Sequence, residues 1–225
     1  MIKMMTLGLV MGLMLAMAGG CYMVNGEAPT NQQKADRLAN GVELASGAAA
    51  WPSVQSIGFT FVVRDGDVVK VSRNHLWNMK AGTDTVSAGD KVTTIDLKNV
   101  DMNDPAQADA FKAWTNDSYW LLMPLKLFDG GVKREYMGRR EVQGKEYEVL
   151  HLSFDNVGMT PGDQYNLYVD PLTSLVTYWD YMPNPDTTML ATWEQYRHDQ
   201  GLVLSTYHKM GAKVITIENL SVASE

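Results

Sequence analysis

The sequence predicts an α+β, β-rich domain in which one large curved antiparallel sheet of about eleven strands packs on two main helices. Helical spacing of apolar residues is well developed in only two segments, most of the remaining chain alternates apolar with polar residues, and short turn signals join the alternating runs. Length and composition agree with a single domain, since 225 residues with 45% hydrophobic and 20% charged side chains are ordinary globular values.

The first helix is expected from Thr30, which stands three residues before Gln33 in the spacing of a capping box. Ala35, Leu38, Val42 and Ala45 continue the helical repeat, and Gly47 and Pro52 end it. Alternation then begins at Ile57, Phe59, Phe61 and Val63, and Asp65-Gly66 suits a tight hairpin into an antiparallel strand over Asp67 to Asn78. Further strands are expected at Asp84 to Ala88 and Lys91 to Leu97. Asp104 as cap, Pro105 at the first helical position and Gln107 start the second helix, with Phe111 and Trp114 on its buried stripe. Tyr119 to Leu125 is the most apolar stretch after the N-terminal region, and Pro124 prevents it from continuing as regular helix. It reads either as a buried short helix or as the wall of a cavity.

Beyond Gly130-Gly131 the chain becomes a run of hairpins. Strands are expected at Val132 to Glu141, Lys145 to Phe154, Gln164 to Asp170, Ser174 to Met182, Thr188 to His198, Gly201 to Lys209 and Lys213 to Ile217. Short turns between several of them favour an antiparallel meander over crossover connections.

The N-terminus has the layout of an export leader: one charge at Lys3, an apolar run from Leu7 to Met17, then Ala18-Gly19-Gly20-Cys21. That run is short for a bilayer span, which needs roughly 20 residues. Cleavage after Ala18 would release a soluble protein, and an uncleaved anchor is a further alternative. The lone cysteine directly after small residues favours the lipoprotein reading, with residues 1–20 as signal peptide, Cys21 lipidated, residues 21–30 as tether and residues 31–225 as one domain. Six of the fifteen methionines fall in the leader, so methionine abundance is no argument for a metal site. Acyl chains on Cys21 would hold the domain to a membrane, since several chains bind stably where one binds marginally.

A net charge of -7 opposes binding to nucleic acid. One cysteine excludes an intrachain disulfide and a thiolate zinc site. The four histidines, His75, His151, His198 and His208, show no ligand spacing, so neither a metal nor a cofactor is expected. Strand parity turns His75 and His208 inward and His151 toward water. There is no Gly-x-Ser-x-Gly elbow and no phosphate-binding glycine loop, and Asp155, Asp163, Asp170 and Asp180 occupy turns or strand ends.

Two stretches carry a resemblance. Tyr119 to Leu127 with Gly131, and Asn156-Val157-Gly158-Met159-Thr160-Pro161-Gly162-Asp163 before the strand Tyr165 to Val169, resemble a family of uncharacterised bacterial exported proteins and lipoproteins. That family is similar to the lipoprotein-carrier (LolA/LolB-like) superfamily. The resemblance implies a half-barrel, an incomplete antiparallel barrel closed by helices over an apolar cavity. It also implies a lipid-anchored protein of the cell envelope, facing the periplasm from the outer membrane, whose partner is a hydrophobic small molecule, lipid or acylated protein. Candidate wall residues are Phe59, Phe61, Trp77, Trp120, Leu122, Tyr165, Leu167, Trp179, Tyr181 and Trp193. For each of these aromatics the alternative is simple core packing, since large aromatics dominate buried area. Two other functions stay open: an envelope interaction protein whose barrel is filled by its own side chains, and a hydrolase assembled from His75 and a distant carboxylate.

Overall fold

The structure, a computed structural model, describes residues 28–155 and 159–225. The expected leader, Cys21 and most of the tether lie outside the described residues, as do Asn156, Val157 and Gly158 of the second family-like stretch.

Helix α1 spans Asn31–Ala45 and closes the expected capping box: Thr30 N donates to Gln33 Oε1 at 2.9 Å while Gln33 N donates to Thr30 Oγ1 at 3.2 Å. Ala35, Leu38, Ala39 and Val42 form its buried stripe. Helix α2 spans Pro105–Leu122 with Asp104 as N-cap, accepting from Ala106 N and Gln107 N. The Gln107 side chain departs from the expected box, since its Oε1 accepts from Asp101 N and its amide donates to Asp104 Oδ2. The apolar stretch 119–125 completes α2 and passes into a 3-10 turn, Met123–Leu125, that accommodates Pro124.

Twelve strands make one antiparallel sheet: β1 (Val54–Asp65), β2 (Val68–Asn78), β3 (Thr83–Ala88), β4 (Lys91–Asp96), β5 (Val132–Val142), β6 (Lys145–Phe154), β7 (Gln164–Val169), β8 (Val176–Asn184), β9 (Thr187–Thr192), β10 (Glu194–Asp199), β11 (Leu202–Met210) and β12 (Lys213–Ser224). Their order is β4-β3-β2-β1-β12-β11-β9-β8-β7-β6-β5, with β10 also on β11. The sheet is open, so the α+β fold with a curved antiparallel sheet and two main helices is the one expected.

Two strands differ from expectation. Thr188 to His198 is not continuous, because the chain breaks at Trp193, whose N–H donates to Thr177 O at 2.8 Å, and Gln195 follows at φ 52°. The break turns Trp193 into the core, where its ring lies 5.1 Å from Trp179 and 4.6 Å from His208. The last strand runs past Ile217 to Ser224, pairing with β1 as far as Val54. It tolerates Asn219 at φ 52° beside a register shift, so the loss of alternation there marks a bulge.

Helix α1 packs on β5 and β6, while α2 packs on β3, β4 and β11. The α1 C-terminus is fixed by close backbone approach. Gly47 has φ 90°, a Cβ at that position would overlap Gly201 O, and Val203 N donates to Ser46 O at 3.0 Å. The main core lies between helices and sheet, with Ile57, Phe59, Leu121, Leu150, Leu167 and Trp193 among its members. A smaller cluster of Val86, Ile95, Ala110 and Ala113 seats the first half of α2 on β3 and β4. Register places Tyr147, Val149, Tyr168 and Tyr178 on the opposite face, as a second aromatic layer.

Candidate functional site

Between α2 and the helix-bearing face of the sheet lies a cavity of about 820 Å³. α2 supplies Phe111, Trp114, Tyr119, Trp120 and Leu122; β1 and β2 supply Phe61, Val63, Val71, Arg73 and Trp77; β7 and β8 supply Tyr165, Trp179 and Tyr181. Aromatic rings gather at two places along it. One group joins Trp51 to Trp77 at 6.2 Å, Trp77 to Trp114 at 5.2 Å and Trp114 to Phe111 at 5.8 Å. The other joins Trp120 to Trp179 at 4.5 Å, Trp179 to Tyr165 at 4.8 Å and Tyr165 to Tyr181 at 5.4 Å.

Seven of the ten wall candidates border this space: Phe61, Trp77, Trp120, Leu122, Tyr165, Trp179 and Tyr181. Phe59, Leu167 and Trp193 do not and lie wholly within the main core, to which Phe61, Trp120, Leu122, Tyr165 and Trp179 also belong by their buried sides. Phe59 and Phe61 share one strand face, but the Phe59 ring is covered by His75, stacked at 4.7 Å, whereas Phe61, also buried, borders the cavity with the Arg73 guanidinium carbon 5.5 Å from its ring centre. Trp51, Trp114 and Phe111 were not among the candidates. Their signal was weak, because Trp51 sits in a short 3-10 turn and the other two read equally well as the core stripe of a helix. With Trp77, Trp120 and Trp179, five of the six tryptophans border the cavity.

Several polar groups at the cavity are held by partners. Tyr181 donates to Asp163 Oδ2 at 3.0 Å, and burial together with this bond pushes the phenol up to about 12. Burial likewise raises Tyr119 and Tyr165 far above the ordinary phenol range. Arg73 holds Asp117 of α2 with two bonds, Nε to Oδ2 and Nη2 to Oδ1, each 2.6 Å. Asn116 Nδ2 donates to the same carboxylate at 2.9 Å.

Behind Arg73, His75 is fully buried, with Nδ1 2.9 Å from Asp84 Oδ2 and Nε2 3.0 Å from Asp117 Oδ2. Both partners are carboxylates, which accept hydrogen bonds, so the site favours the ring with both nitrogens protonated. Burial lowers its pKa, but the bonds to Asp117 and Asp84 outweigh burial and raise it. A hydrolase built on His75 would need a ring nitrogen facing substrate or a nucleophile. Here both nitrogens are occupied and the side chain is sealed from solvent. His208 is the other buried histidine. Its Nδ1 lies 3.1 Å from Thr192 O, and burial lowers its pKa to about 4, leaving a neutral ring between Trp120 and Trp193. His151 is half-buried on the opposite sheet face, bonded to Asn166 at 2.9 Å. Among the described residues no group of three or more His, Cys, Asp or Glu side chains is arranged to hold a metal ion. No described helix is long and apolar enough to cross a membrane.

Solved structures similar to this chain include a LolA superfamily protein from Nitrosomonas europaea, 9% identical with TM-score 0.47, covering 83% of this chain and 94% of that one. A putative outer membrane lipoprotein-sorting protein domain from Vibrio parahaemolyticus is 8% identical with TM-score 0.48, covering 85% and 93%. A DUF1329 family protein from Desulfovibrio piger is 12% identical with TM-score 0.43, covering 82% and 92%. No curated protein matches the chain. At the level of sequence the match runs through residues 61–222, from the first cavity strand to the end of the sheet, and by it the chain belongs to a family of unknown function, DUF6503.

Proposed function

We propose that this protein is a cell-envelope lipoprotein that holds a hydrophobic guest, a lipid or the acyl chain of an acylated protein, in the cavity under α2. The open, aromatic-walled space of about 820 Å³ supports this reading, since small-molecule sites occupy roughly 300–1,000 Å³ and are mainly apolar with a few placed polar groups. Transfer of about ten methylenes from water into such a site contributes about 8 kcal/mol before the costs of association. A scaffold with a barrel filled by its own side chains lacks this space, so the cavity favours the binding reading. Attachment through lipidated Cys21, on the periplasmic side of the outer membrane, belongs to the same proposal and rests on the leader-like N-terminus.

Native mass spectrometry of protein purified without detergent tests the guest, alongside titration with a fluorescent fatty acid. A co-purifying lipid mass or saturable uptake is the expected result. A clean apo mass with no uptake would overturn the proposal.

A further inference from the structure

Arg73 stands out on the cavity wall because it is a cation in a row of inward side chains, between Val71 and Trp77 on β2. Asp117 engages only Nε and Nη2 of its guanidinium, from the side. A guanidinium has five N–H donors, so Nη1 and the second Nη2 hydrogen remain, and together they form an end-on fork matching the two oxygens of a carboxylate or phosphate. Nη1 has no hydrogen-bond partner among the described residues. The fork is also pre-organised, because its other edge is clamped to a fully buried carboxylate and its Cζ sits 5.5 Å from the centre of the Phe61 ring.

Charge around the cavity points the same way. Its lining carries four cations, Arg73, Lys112, Lys126 and Lys213, against two carboxylates, Asp129 and Asp163, although the whole chain has a net charge of -7. Lys126 pairs with Asp129, and Asp163 accepts from Tyr181. Lys112 has only the exposed Asp109 at 3.9 Å, and Lys213 has no ion pair among the described residues.

Resting on the reading of the cavity as a ligand site, we infer that its guest is an anionic amphiphile whose carboxylate or phosphate head docks on the free fork of Arg73 while its tail lies among the aromatics. Isothermal titration with four probes sharing one twelve-carbon tail tests this, each kept below its micelle concentration: laurate, dodecyl phosphate, dodecanol and dodecyltrimethylammonium. Laurate or dodecyl phosphate should bind about tenfold or more tighter than dodecanol, and the cationic probe weakest, as charge-assisted pairing demands. The better of the two anions identifies the head. The double variant Arg73→Gln/Asp117→Asn leaves no orphaned charge and should bring the laurate-to-dodecanol affinity ratio close to one. Equal affinities in the wild type overturn the inference and leave the cavity reading standing, while absence of binding by all four probes overturns the cavity reading itself. A ratio unchanged in a folded double variant removes Arg73 from the role. Should the double variant not fold, the wild-type series still decides the head preference. Inorganic phosphate binding as tightly as dodecyl phosphate would show a free-anion site and overturn the amphiphile.

Discussion

His75 and Asp117 bond across the helix–sheet interface, Nε2 to Oδ2 at 3.0 Å, over 42 residues of chain. With Arg73 and Asp84 they form a charge-balanced quartet of two cations and two carboxylates that ties α2 to β2 and β3. Removing one member strands a buried charge. His75→Gln should therefore cost about 3–5 kcal/mol, read as a lower denaturant midpoint, and a loss under 1 kcal/mol would show that the quartet does not secure α2.

The quartet also sets an alkaline limit. The folded pKa of His75 is raised above its unfolded value of 6.5, so its contribution is complete below about pH 6.5 and fades as pH climbs through the raised value. Stability measured from pH 6 upward should fall in the wild type more steeply than in His75→Gln. Parallel profiles would contradict this.

His208 sets the opposite limit. Its pKa falls from 6.5 to about 4 on burial, so neutral burial is fully favourable above pH 6.5 and is lost as acid reaches the folded value. About 3 kcal/mol should disappear between those two pH values, and an NMR titration of the ring should place its midpoint near 4. A midpoint near 6.5 would refute the buried neutral state.

Wall and core residues should separate experimentally. Leu167→Ala removes a fully buried core side chain away from the cavity and should cost about 2–5 kcal/mol without altering fatty-acid uptake measured under native conditions. Trp77→Ala, half-buried at the cavity, should weaken uptake severalfold. Identical effects of the two on uptake would erase the distinction drawn between them.

At the α1 C-terminus, Gly47→Ala combines positive φ with overlap against Gly201 O, and about 1–3 kcal/mol of destabilisation is expected from thermal melts. An unchanged melting temperature would mean that the α1 turn can move away from the β10–β11 turn.

Cys21→Ser should abolish acylation and shift the protein from membrane to soluble fractions. Unchanged membrane association would defeat the anchor proposal.

Much of this was legible because local chemistry decides it. Thr30 with Gln33, and Asp104 with Pro105, start the helices where expected, and alternation along β2 turned His75 and Trp77 inward. The same parity turns Arg73 inward, and helical spacing puts Asp117 in line with Ala110, Ala113 and Leu121. Both were readable as charges in buried rows, and they went unread because each makes sense only beside the other. No local rule separates Phe61 at the cavity from Phe59 in the core, since their difference is a histidine ring contributed by the neighbouring strand. The break at Trp193 was equally hidden, for it depends on what that indole meets once the sheet has assembled.

The distribution of indoles along the cavity equips the molecule with its own optical gauge. Five of the six indoles border the space and Trp193 alone does not, so a guest would lie beside most of the protein's intrinsic emitters. Filling and emptying should therefore shift both colour and brightness against a small constant background, and the state of the site can be followed in real time without attaching a dye.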